Sequence, residues 1–234
     1  MLLELNKVSV FYGKVKAVKE INLKVAPGEF VAIIGANGAG KTSILNAISG
    51  LVRRVGEIWF EGEKIDHMVP PQIADKGIIQ VPEGGRIFPL LSVMDNLRMG
   101  AYLQREKRKV ANALEKVFSL FPILKIRKTQ RADSLSGGER QMLATGRALM
   151  ADPKLLLMDE PTLGLSPLLC KKLSETLKEI NREGIPVLLV EQNAHMGLEL
   201  SNRTYVFEKG EVALEGNSTE LVSKEEIRRA YLGV

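Results

Sequence analysis

The 234-residue sequence predicts an α/β fold, with a parallel-sheet core, an antiparallel β region ahead of it and a helical insertion. Three observations carry that prediction. Phe30-Val31-Ala32-Ile33-Ile34 and Leu155-Leu156-Leu157-Met158 are short apolar runs without polar alternation, as expected of strands covered on both faces of a parallel sheet. Each precedes a helical pattern, Thr42 to Ser49 after the first and Pro167 to Arg182 after the second. Between them, from about Ser92, apolar residues recur at helical intervals.

In chain order, Leu3, Leu5, Val8 and Val10, then Val15, Ala17, Ile21, Leu23 and Val25, mark two β segments, and Pro27-Gly28-Glu29 supplies the turn into the first buried strand. That strand ends in a glycine-rich loop that opens a helix with Ile44, Leu45 and Ile48 on one face. Ile58-Trp59-Phe60 and Ile78 to Val81 read as further strands, the latter closed by Pro82. Ser92-Val93-Met94-Asp95 resembles a capping box, and Leu97, Ala101, Val110, Leu114, Val117, Phe118 and Phe121 continue at helical spacing. After Asp152-Pro153 the pattern returns to strand (Leu155 to Met158), helix (Pro167 to Arg182), strand (Val187 to Val190) and a short helix from Asn193. Strands near Tyr205-Val206-Phe207 and Val212-Ala213-Leu214, joined across Lys209-Gly210-Glu211, precede a helical tail. No repeat or linker interrupts the chain, so one domain over residues 1–234 is expected.

With 45% hydrophobic, 26% charged and 5% aromatic residues, the composition is that of a globular protein. At this length folding buries roughly 70 to 75% of the unfolded surface, enough for a core without staples. The single cysteine, Cys170, excludes an intrachain disulfide and fits a reducing compartment. No apolar run approaches the roughly 18 residues of a membrane-spanning helix. Met1 to Asn6 lacks the basic flank and apolar stretch of a secretion signal, so a cytosolic location is expected. The net charge of +5 is regional: ten Lys and Arg between Arg98 and Arg131 face only Glu106 and Glu115. A solvated basic helix face is the plainer reading of that segment than contact with nucleic acid or lipid headgroups. His67, His195, Cys170 and the scattered methionines read as surface or packing residues.

Three segments carry chemistry. Gly35-Ala36-Asn37-Gly38-Ala39-Gly40-Lys41-Thr42 fits G-x-x-x-x-G-K-S/T between a strand and a helix. There the loop amides and the helix N-terminus converge on phosphate, Lys41 reaches the β- and γ-phosphates, and Thr42 offers its hydroxyl to Mg²⁺, with Ser43 nearby. A glycine turn used only for packing has no use for Lys-Thr at those offsets. Asp159-Glu160 follows a buried strand, placing two carboxylates where ligands collect in open α/β sheets. Asp159 suits a hydrated Mg²⁺ and Glu160 a water-activating base; an acidic strand cap turned outward is the plainer alternative. Leu135-Ser136-Gly137-Gly138-Glu139 precedes a helix and is either a well-made cap or a second anion-receptive N-terminus. One nucleotide has no need of two phosphate cradles from one chain, so the spare one suits a second chain.

With these segments in view, the sequence resembles the nucleotide-binding subunits of ABC transporters over nearly its whole length. Gly35 to Thr42 resembles their Walker A motif, Leu155 to Glu160 their Walker B motif and Leu135 to Glu139 their signature, the most specific of the three. The resemblance implies a P-loop NTPase fold with a helical subdomain inserted at about 87–150. Tyr12 sits where the family stacks an aromatic on adenine, and Leu163-Gly164-Leu165-Ser166 occupies the D-loop position without its usual aspartate. ATP and Mg²⁺ are the implied cofactors. A head-to-tail dimer is implied too, the Walker A loop of one subunit closed by Ser136, Gly137 and Gly138 of the other.

Glu83 replaces the usual Q-loop glutamine but can still ligate Mg²⁺; Gln192 replaces the switch histidine and can donate to the γ-phosphate without becoming cationic. Pro82-Glu83-Gly84 with Arg86-Ile87-Phe88-Pro89, Val190-Glu191-Gln192-Asn193-Ala194 and the closing Ala230-Tyr231-Leu232-Gly233 are similar to the second ATPase subunit of branched-chain amino-acid importers. Implied partners are a second ATP-binding subunit, integral-membrane permease subunits docking near the helical stretch, and indirectly a solute-binding protein, with the chain peripheral on the cytoplasmic face of the membrane. Urea and short-chain amide importers rank second because they usually keep glutamine at the Q-loop position. Nucleic-acid or ribosome-associated ABC proteins form the rival class, but typically carry two cassettes or a long coiled-coil insertion, so no nucleic-acid partner is expected.

Overall fold

The computed structural model describes residues 1–224, so the closing Ala230 to Gly233 segment and most of the expected helical tail lie outside the described residues. The chain begins with β1 (Leu3–Tyr12) and β2 (Val15–Val25), an antiparallel pair, and continues into β3 (Phe30–Ile34), which is buried at every position. Next come α1 (Lys41–Ile48), β4 (Arg53–Phe60), β5 (Glu63–Lys64), α2 (Pro70–Asp75) and β6 (Ile78–Val81). The helical stretch comprises α3 (Val93–Gly100), α4 (Lys107–Leu120), α5 (Pro122–Ile126) and α6 (Gly137–Leu149). Strands and helices then alternate through β7 (Leu155–Asp159), α7 (Pro167–Arg182), β8 (Val187–Glu191), α8 (Ala194–Leu200), β9 (Arg203–Glu208), β10 (Glu211–Asn217) and α9 (Ser218–Ser223).

Two sheets result. The antiparallel one has the order β2-β1-β4-β5, and the other the order β10-β9-β3-β8-β7-β6. The second is parallel except for β10, which returns against β9 through Lys209 (φ 48°) and Gly210 (φ 83°). Positive φ at both turn residues matches the right-handed strand twist in a two-residue hairpin. Helix α1 lies between the sheets: Ile44, Leu45 and Ile48 join Leu3, Leu5, Leu23 and Ile58 on one side and Ile33, Leu157, Leu188 and Val190 on the other. The opposite face of the parallel sheet, through Leu156, Met158, Val187 and Leu189, packs on α6 and α7 and on the smaller helices beyond them. These uninterrupted apolar strands are therefore covered on both faces, and this α/β architecture is the one the sequence predicts.

The helical spacing from Leu97 to Phe121 is shared by two helices, the chain turning at residues 101–106 so that α3 and α4 can each lay an apolar stripe on α6. Strand β5 and helix α2 have no counterpart in the sequence reading: β5 is two residues long, and α2 buries only Ile73, too little to leave a period. The basic residues Arg105, Lys107, Arg108 and Lys109 are all exposed at the start of α4, as a solvated face requires.

Candidate nucleotide site

The strand order builds the site. β8 lies between β3 and β7, so the loops leaving the carboxyl ends of β3 and β7 emerge on either side of the β8 end and meet above it. Open α/β sheets collect ligands at this position. The first loop, residues 35–40, bends tightly under its neighbours: a Cβ at Gly35 (φ +158°) would lie 2.3 Å from the Phe207 carbonyl oxygen, so glycine is required there. Gly40 caps α1 in a left-handed conformation (φ 101°) with no side-chain oxygen to occupy the first-turn amides. Those amides, at the positive end of the helix, are left for an incoming anion. Asn37, Gly38, Gly40, Lys41, Thr42 and Ser43 line a cleft of about 460 Å³ together with Glu83 and Glu160.

Lys41 is 4% exposed and its ammonium is fully engaged. It donates to the carbonyl oxygens of Gly35 (2.8 Å) and Ala36 (3.2 Å) and pairs with Glu160 at 3.1 Å. Thr42 donates its hydroxyl to Asp159 at 2.9 Å. Asp159, 1% exposed, has its carboxyl pushed up to about 6 by burial, with further repulsion from Glu160 and Glu83; the Thr42 hydrogen bond and Lys41 oppose the rise. A buried acid next to two others is short of positive charge. An oxygen-only set of one hydroxyl and one or two carboxylates, completed by phosphate oxygens, is what Mg²⁺ accepts, so these residues fit that cation. Among the described residues no group of three or more His, Cys, Asp and Glu is placed to hold a metal ion.

Glu160 itself sits in a left-handed conformation (φ 42°), uncommon for a residue with a side chain, and its amide donates to the Val190 carbonyl at 2.9 Å. Glu83 is exposed and borders this cleft as well as a neighbouring one of about 600 Å³, which is also lined by Tyr12, Thr42 and Asp159. Tyr12 is half-exposed at that rim. Gln192 is exposed one residue beyond β8.

Ser136 and Gly137 are exposed at the start of α6 and do not line the cleft. There a capping box forms: Ser136 accepts from the Glu139 amide (3.3 Å), and the Glu139 carboxylate accepts from the Ser136 amide (2.9 Å). Gly137 has nothing within 4 Å of where a Cβ would stand, so its face is open. The structure thus brings together the loop, Lys41, Thr42, Asp159, Glu160 and Glu83, and leaves the Ser136 segment apart.

A further buried acid, absent from the sequence-derived site, adjoins this centre. Glu191, 2% exposed, ends β8 and accepts from the Thr162 hydroxyl at 2.7 Å. Burial raises its carboxyl above the usual range, against hydrogen bonds from the Thr162 side chain and from the amides of Thr162 and Asn193. The available signal was a carboxylate directly closing an all-apolar strand, the same pattern that marked Asp159.

A strand, phosphate loop and helix facing a buried Asp-Glu pair define a nucleoside-triphosphate-binding α/β protein with the means to hydrolyse its ligand. The family follows: the model described as ABC transporter matches residues 18–163, and the chain belongs to that family as an ATPase. The high-affinity branched-chain amino acid transport ATP-binding protein BraG of Pseudomonas aeruginosa is 44% identical over 99% of this chain and 100% of its own. The probable branched-chain amino acid transport ATP-binding protein LivF of Archaeoglobus fulgidus is 30% identical, covering 97% of both chains. Among solved structures, the ADP conformation of MJ1267, an ATP-binding cassette of an ABC transporter, superposes with a TM-score of 0.85 at 26% identity, over 100% of this chain and 99% of that one. The dimeric post-hydrolysis cassette MJ0796, bound to ADP and Pi, gives 0.81 at 27% identity over 92% and 98%. No helix among the described residues is long and apolar enough to cross a membrane.

Proposed function

We propose that this chain is the ATP-hydrolysing subunit that powers uptake of branched-chain amino acids, working at the cytoplasmic face of the membrane with permease subunits and a second ATP-binding subunit. The observation that carries the solute assignment is the end-to-end 44% identity with BraG; the other relatives named above are more distant. An external solute-binding protein would complete the importer. A single domain, its helical insertion at about 87–150, accounts for the whole chain.

In this reading ATP lies in the cleft with its phosphates against Gly35 to Ser43 and its adenine on Tyr12. Lys41 leaves the loop carbonyls for the β- and γ-phosphates, and Thr42, Asp159 and Glu83 are the residues that would hold Mg²⁺. When bound, that cation neutralises phosphate charge and stabilises what develops in the transition state. Glu160 orients the attacking water and accepts its proton. Its present partner is Lys41, so a γ-phosphate that draws the ammonium away releases the carboxylate for this work. Gln192 donates a hydrogen bond toward the γ-phosphate.

The exposure of Ser136 and Gly137, away from the chain's own cleft, supports a head-to-tail pairing in which they close over the partner's nucleotide with Gly138. The Ser136 hydroxyl, which accepts from the Glu139 amide, then donates its own proton to a phosphate of that nucleotide. The test is co-purification of the tagged chain with its membrane subunits, followed by ATPase measurement in vesicles with the binding protein loaded by leucine, isoleucine or valine. Stimulation by these solutes and not by urea or short-chain amides is expected. Stimulation by the latter alone would move the chain to that class of importer.

A further inference from the structure

We propose that Glu191 is a positioning residue for ATP hydrolysis: its buried carboxylate, through the Thr162 hydroxyl, fixes the turn that aims Glu160. The proposal rests on the reading of Glu160 as the base.

Glu191 is the last residue of the strand between β3 and β7, and its backbone pairs with Ile34, immediately before the phosphate loop. Strand alternation puts Val187 and Leu189 on the face of the sheet covered by α6 and α7, and Glu191 falls on the same side. There it meets Thr162, two residues after Glu160, at 2.7 Å. Thr162 is held from its other side as well: its carbonyl accepts from the Leu165 amide at 3.0 Å and from the Cys170 thiol at 3.8 Å. Leu163 N–H closes the turn onto the Glu160 carbonyl at 3.1 Å. The turn from Glu160 to Leu165 is therefore clamped between the β8 end and α7.

Such a clamp has a task, because Glu160 is held in the left-handed region (φ 42°), a conformation that persists for a residue with a side chain only where its surroundings enforce it. Stability alone argues against a carboxylate at position 191. It is desolvated, and it adds like charge close to Glu160. A buried acid that a neutral acceptor would replace at lower cost, joined to the turn of the catalytic centre, points to function. Because Glu191 also precedes Gln192, one side chain ties together the two segments argued to face the γ-phosphate.

The test is steady-state ATP hydrolysis by the full-length chain with MgATP, comparing Thr162→Val, Thr162→Ser, Glu191→Ala and the Thr162→Val/Glu191→Ala double variant, each assayed well below its own melting transition. Small misplacement of a reacting group costs up to about 10²-fold in rate, so Thr162→Val and Glu191→Ala should each lower kcat about tenfold with the KM for ATP within about twofold. Thr162→Ser, which keeps the hydroxyl, should recover most of the rate. The double variant should lose no more than Glu191→Ala alone, because that change already removes the hydroxyl contact together with those from the Thr162 and Asn193 amides. Normal kcat in Thr162→Val, which is nearly isosteric and leaves Glu191 in place, would overturn the latch, as would losses in the double variant that multiply. Glu160→Gln, run in parallel, separates the two readings. Turnover abolished there but intact in Thr162→Val refutes the latch alone, whereas undiminished turnover in Glu160→Gln removes the base and the latch with it.

Discussion

Replacing Asp159 by asparagine should make the nucleotide-free protein more stable while damaging its site. Burial and the nearby Glu160 and Glu83 move this carboxyl from an ordinary 3.8 to about 6 in the folded chain. The unfolded chain therefore ionises Asp159 first, near pH 4, while the folded chain keeps the proton until about pH 6. Below the lower value the group adds no penalty; the penalty grows between the two and is complete above pH 6. Two units correspond to at most ~3 kcal/mol. The cleft is open to water on one side, so about 2 kcal/mol is expected in practice. Asparagine keeps an oxygen to accept from Thr42 and carries no charge, so its gain equals the removed penalty. Urea unfolding without nucleotide or Mg²⁺ should show Asp159→Asn more stable than the parent at pH 7.5, with the gain falling to about a third at pH 4.5. In saturating MgATP the order should reverse, because the parent gains more from ligand binding. A variant less stable than the parent at pH 7.5, or a gain independent of pH, would refute the account of a charge-starved buried acid.

Glu160→Gln should bind ATP normally while turnover falls by roughly 10²-fold or more, the usual contribution of a general base; equilibrium binding and phosphate release read the two separately. Lys41→Ala should weaken ATP binding at least about tenfold, measured by nucleotide titration, because the loop loses its only ammonium; unchanged affinity would count against the phosphate cradle. Gly35→Ala should cost about 1–3 kcal/mol in chemical unfolding, since its methyl meets the Phe207 carbonyl and must displace backbone.

Much of the site was legible because it is written in short, local patterns. Loop 35–42 needs glycine where the backbone turns left-handed and Lys-Thr where α1 begins, and those demands depend on neighbours in sequence. β3, β7 and β8 announce themselves as apolar runs because both faces are covered, and α7 begins at Pro167 as its pattern indicates. By contrast, α2 buries only Ile73 and so shows no period, and the break after α3 follows from packing on α6, which leaves little local trace. Glu191 closes an apolar strand as Asp159 does, but no phosphate loop or second acid adjoins it in sequence to give that pattern a meaning; its partner Thr162 lies 29 residues away.

Which residues cradle phosphate, which strand delivers the acidic pair and which serine begins the third motif can be read from the linear chain, since each is a matter of residue type at fixed local spacing. That β8 separates β3 from β7, that Lys41 is already paired with Glu160 across that gap, and that Ser136 stands apart from its own chain's cleft emerge from the folded arrangement. Parallel strands need not be neighbours in sequence. Their order is set by how both faces of the sheet are buried, and that order alone determines which strand ends, and so which charges, come within hydrogen-bonding reach.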